Sequence, residues 1–71
     1  MNLSDLEKGC TKKIAEVKDS EVIQKLFEFG LIPGAEITLL NKVPFNGPLY
    51  ISVNETLISL RKAEAKTVIL Q

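Results

Sequence analysis

The apolar residues change their period once, within the stretch Leu26 to Leu40, LFEFGLIPGAEITLL. Before it, Val22, Leu26 and Phe29 recur at helical spacing; after it, Ile37 and Leu39 alternate with Glu36, Thr38 and Leu40 as in a strand. Between the two regimes, Gly30 suits the left-handed position that ends a helix, with Leu31 folding back on Leu26. Pro33-Gly34 then presets a type II turn, because proline fixes the first central φ and glycine supplies the positive φ at the second. The chain therefore passes from one helix into strands through a rigid corner. No side chain in that corner is suited to acid, base or nucleophilic chemistry.

On either side of the corner the pattern is one of short strands. Ser4-Asp5-Leu6 reads as a turn that anchors the N-terminus through Leu3 and Leu6, and Lys12 to Val17 as a first strand with Ile14 inward. Asp19 or Ser20 caps the helix, which is expected to run to Phe29, with Val22, Leu26 and Phe29 on its buried stripe and Ile23 and Phe27 widening it. From Glu36 a strand is expected to place Ile37, Leu39, Asn41 and Val43 on one side. The loop Pro44-Phe45-Asn46-Gly47-Pro48 joins it to a strand with Leu49, Ile51 and Val53 inward, forming a hairpin. Asn54-Glu55-Thr56 turns the chain into a strand from Leu57 to Arg61, Lys62 to Ala65 makes a single turn, and Thr67 to Leu70 a last strand. About five short strands with one α-helix between the first and second close best as a small, mainly β barrel, the helix covering one open end.

At 71 residues a single domain, 1–71, is expected, burying only about 60% of the surface exposed by its unfolded chain. One cysteine, Cys10, and no histidine leave neither an internal disulfide nor a Cys/His metal cluster, so packing of the 45% hydrophobic residues must hold the fold. Nine basic and nine acidic residues cancel and are interspersed, which argues against nucleic acid as a partner. The N-terminal MNLSDLEKGC carries acids where a secretory leader needs a basic segment, and no apolar run approaches membrane-span length, so a cytoplasmic location is expected. An enzyme lacks its parts: no nucleophile has a histidine base, and there is no phosphate-binding glycine loop and no ligand set. No cofactor and no metal are expected. The scattered carboxylates, Glu64 among them, read as solvated surface, and Arg61 as a member of a local ion pair.

Protein–protein contact remains. Phe45 stands between Pro44 and Asn46 in a loop, where turn formation does not require an aromatic ring; it either meets a partner or folds back over the barrel mouth. Phe27, at the margin of the helix stripe, poses the same choice. The chain also resembles a known family. LSDLEKG, LFEFGLIPG, PFNGP and LRKAEA, in this order from Leu3 to Leu70, are similar to the motifs of the FeoA family of ferrous iron uptake. The resemblance implies an SH3-like β-barrel and an accessory role toward the membrane transporter FeoB, met through its cytoplasmic part. Similar domains end metal-dependent repressors, so a generic SH3-like interaction module is the alternative, although no helix-turn-helix or metal-ligand set is present here. Phe45, Asn46, Lys25 and Phe27 are the expected partner-binding residues. Lys25 stands where the family often has arginine, and Asn54-Glu55 lacks a glycine common there, which Asn54 can replace by tolerating positive φ.

Overall fold

The computed structural model describes residues 1–29 and 32–71. The cap expected at Gly30, with Leu31 against Leu26, lies outside the described residues. A 3₁₀ turn, Leu3–Asp5, opens the chain. The Asn2 side chain accepts from the Ser4 N–H at 2.9 Å and Asp5 Oδ2 from the Asn2 N–H at 3.2 Å, so both free amides of the turn are satisfied. Leu3, its first residue, and Leu6, just after it, are buried, as the sequence predicts.

Five strands follow: β1 (Thr11–Val17), β2 (Glu36–Lys42), β3 (Leu49–Val53), β4 (Thr56–Leu60) and β5 (Val68–Leu70), with helices α1 (Ser20–Phe27) and α2 (Lys62–Ala65). All pairings are antiparallel and the order is β4-β3-β2-β1-β5, so the architecture is mainly β as expected. The sheet is not closed: β4 and β5 are its edges. The outer side of β5 is covered by the N-terminus, through a bridge of Asn2 to Ile69 and the Leu70 N–H donating to the Met1 carbonyl at 2.9 Å. Among the described residues no polar or charged side chain is buried, so the core is held by aliphatic packing alone.

Asp19 caps α1, its Oδ1 accepting from the Glu21 and Val22 amides at 2.8 and 3.2 Å. Val22 and Leu26, one helical turn apart, are buried. Phe29 is not, which corrects the expected stripe. The helix ends at Phe27, and the Phe29 N–H reaches back only to the Leu26 carbonyl, in a tighter turn that swings its ring off the buried face to 43% exposure. The turn at Pro33-Gly34 forms as predicted: the Ala35 N–H donates to the Ile32 carbonyl at 2.9 Å and Gly34 has φ 93°.

β3 alternates as its sequence does, with Leu49, Ile51 and Val53 buried. β2 departs from its expected pattern after Leu39. The register with β3 shifts between Leu39 and Asn41, a bulge that turns Asn41 out to solvent instead of onto the core face. The β3–β4 hairpin closes through Asn54 and Glu55 at φ 50° and 64°, so Asn54 does adopt the left-handed conformation expected of it, and Glu55 adopts it too.

Candidate docking surface

The hairpin loop between β2 and β3 is built to hold one aromatic ring in solvent. Its base is closed by the Val43 N–H donating to the Pro48 carbonyl at 3.0 Å, and its tip by the Gly47 N–H donating to the Pro44 carbonyl at 3.2 Å. The two residues inside that turn, Phe45 and Asn46, have φ 61° and 63°, the left-handed pair of a type I′ turn. Asparagine adopts this conformation readily, whereas a bulky side chain there is strained by on the order of 1 kcal/mol. Phe45 is 99% exposed, so its ring does not fold back over the barrel mouth. Beside the loop lies a hollow of about 290 Å³, lined among others by Ser4, Lys42 and Lys62. Lys42 Nζ donates to the Ser4 carbonyl at 2.8 Å, tying the N-terminal turn to the strand that carries the loop.

The helical candidates sit elsewhere. Phe27 is 67% exposed and lines a separate apolar hollow of about 270 Å³ with Val17, Ile23, Ile32 and Pro33. Neither of these two hollows is lined by both Phe27 and Phe45. Lys25 is half-buried, and its Nζ lies 3.3 Å from Glu64 Oε1, the one ion pair among the described residues. Asn46 accepts from Lys62 Nζ at 3.2 Å. α2 therefore stands between the two groups, holding the loop through Lys62 and α1 through Glu64. Sequence reasoning missed this connector. Its signal was the KAEAK run, where two cations flank a carboxylate on a single turn.

Glu64 corrects the reading of a merely solvated carboxylate. It is half-buried and accepts from the Arg61 N–H at 2.8 Å, satisfying a free amide at the start of α2. Arg61 contributes this amide rather than the ion pair expected of its side chain. The Arg61 amide hydrogen bond holds the Glu64 carboxyl below its ordinary 4.5, with Lys25 acting in the same direction and partial burial opposing both. Because the folded value is lowered, the stabilisation is present above pH 4.5 and lost as pH falls through the lowered value. Glu64→Gln is expected to cost about 1 kcal/mol at pH 7. In urea titrations the difference from the parent should shrink in acid; a difference that is equal at pH 7 and at about pH 3 would contradict this account of the charge.

Cys10 is exposed and free. Among the described residues no group of three or more His, Cys, Asp or Glu side chains is placed to hold a metal ion, and no helix is long and apolar enough to cross a membrane.

A family model described as the FeoA domain matches residues 1–71. The fold is similar to that of the FeoA protein from Chlorobium tepidum, with TM-score 0.91 and 28% identity over 100% of this chain and 69% of that one. Iron(II) transport protein A from Clostridium thermocellum is similar at TM-score 0.90 and 32% identity, over 100% of this chain and 44% of that one. A third similar structure is Stenotrophomonas maltophilia FeoA complexed with zinc, at TM-score 0.85 and 32% identity over 100% of this chain and 89% of that one. That protein is described as a prokaryotic SH3 domain protein and put forward as a ferrous iron transport activating factor. The SH3-like fold class expected from the sequence is thereby shown. A manganese-dependent transcriptional repressor shares the fold at TM-score 0.87 and 15% identity, over 35% of its length. No curated protein matches this sequence.

Proposed function

We infer the role of this chain from its family: it belongs to the FeoA family, whose model spans residues 1–71. It acts as a small cytoplasmic accessory protein of ferrous iron uptake, by protein–protein contact with the cytoplasmic part of a FeoB-type membrane transporter. The docking element is the loop of residues 44–48, with the outer face of α1 as a second contact. The observation that carries this reading is Phe45, whose ring is 99% exposed at a left-handed position that turn chemistry gives no reason to fill with an aromatic. Apolar area offered to solvent on a rigid turn loses little entropy on binding, which suits a weak and transient contact. Pro44 and Pro48 bracket the loop and restrict it further.

Phe45→Asn separates this role from folding, because asparagine accepts the left-handed conformation that the turn demands. The thermal midpoint is expected to stay within about 3 °C of the parent or to rise. Transporter association and ferrous iron uptake, in cells that depend on this chain, are expected to fall. A stable variant with intact uptake places the docking surface elsewhere; a variant that unfolds returns Phe45 to a structural role.

A further inference from the structure

We propose that the outer edge of β4 is a self-pairing surface, on which a second copy of this chain adds its own β4 antiparallel about a two-fold axis at Ile58. The register within the hairpin determines which groups are available. The two-residue turn at Asn54-Glu55 makes Val53 and Thr56 a hydrogen-bonded pair, and Ile51 with Ile58 and Leu49 with Leu60 follow it in alternation. The N–H and C=O groups of Leu57 and Ser59 therefore point away from β3. Among the described residues neither makes a backbone hydrogen bond to another element. Both residues are exposed, Leu57 at 64%.

The other edge cannot take part. β5 is already bridged by Asn2, so a head-to-tail β4-to-β5 assembly is closed and an isologous β4 pair is the arrangement left. Its register is self-consistent. With Ile58 opposite Ile58 of the second copy, Leu57 meets Ser59 as a hydrogen-bonded pair, twice by symmetry, and the two exposed Leu57 side chains become diagonal neighbours. Three residues from the axis on either side, Glu55 faces Arg61 of the second copy. Arg61 borders an open groove with Ser59, Lys62 and Lys66 and makes no side-chain ion pair among the described residues; the nearby Glu64 carboxylate is held by the Arg61 amide and Lys25, so the guanidinium is available to an incoming carboxylate. Glu55 holds φ 64°, where glycine is the favoured residue, and turn chemistry gives no reason for a carboxylate there; facing Arg61 supplies one. The centre of the edge carries no lysine, proline or bulge, the devices by which a free strand is kept from pairing.

A strand of five residues buries less than a standard interface, so the dimer is weak, with a dissociation constant on the order of 0.1 mM. Sedimentation equilibrium on the intact chain up to about 1 mM, with amide exchange read residue by residue, tests it. Expected are a reversible dimer and slowed exchange at Leu57 and Ser59 as concentration rises. Arg61→Glu and Glu55→Arg should each weaken dimerisation at least about tenfold, and the two together should restore it, since the exchanged charges again face each other. Leu57→Lys, on an exposed side chain, places two like charges beside the axis and should abolish pairing while leaving the circular-dichroism melt unchanged. A parent chain that stays monomeric at 1 mM overturns the proposal. So does a double variant no tighter than the singles, or protection confined to other strands. The proposal does not depend on the transporter reading, and neither outcome bears on the Phe45 result.

Discussion

Leu26→Ala is expected to remove about 2–5 kcal/mol of stability, the largest loss of any single change considered for this chain. Leu26 is 1% exposed and, with Val22, is the means by which α1 joins the core. A chain of 71 residues has a total stability of only about 4–11 kcal/mol, so the variant gives up a large share of it. The thermal midpoint should fall by about 10–30 °C, and a scanning calorimeter or a circular-dichroism melt reads this directly. The cost is high because the core has no polar network to redistribute: every buried side chain among the described residues is aliphatic, and a cavity left by Leu26 loses its contacts outright. A loss below about 1 kcal/mol would mean that α1 lies loosely on the barrel and that its orientation cannot position a docking face.

Gly47→Ala is expected to cost about 1–3 kcal/mol, from steric conflict rather than from a cavity. A Cβ at this position would lie 2.5 Å from Val43 Cγ1, 2.7 Å from Val43 Cβ and 3.1 Å from the Val43 carbonyl oxygen, so the loop base has to open. That base carries the hydrogen bond between Val43 and Pro48, and the turn above it holds Phe45. The substitution should therefore lower stability in a urea titration and also displace the ring. Adding Val43→Ala removes the nearest methyl and should recover part of the loss; a neutral Gly47→Ala would mean that the loop does not close as described.

The strands were readable from the sequence where a single face is buried without interruption. Leu49, Ile51 and Val53 alternate cleanly, and β3 follows them residue for residue. β2 begins in the same way and then fails at Asn41. A bulge adds one residue to one strand and reverses the faces beyond it, and residue types carry no marker for that reversal. Phe29 was misplaced for a similar reason. The helical pattern continues through it in sequence, while the backbone has already tightened after Phe27. The loop that presents Phe45 was legible as a loop, because Pro44, Gly47 and Pro48 punctuate it. Its handedness was not, because neither Phe45 nor Asn46 is the glycine that usually announces a type I′ turn. Glu64 was unreadable on composition alone: a carboxylate bound to a backbone amide looks the same in sequence as a solvated one.

The measurement that bears most directly on the docking role is a titration of the isotope-labelled chain with the purified cytoplasmic part of the ferrous iron transporter, followed by amide chemical shifts. Saturable shifts concentrated at Phe45, Asn46 and Gly47 are expected, with a smaller set on α1 around Phe27 and an affinity at least about tenfold weaker for Phe45→Asn. Saturable binding whose shifts leave this loop untouched, with an affinity unchanged in Phe45→Asn, would contradict the docking role.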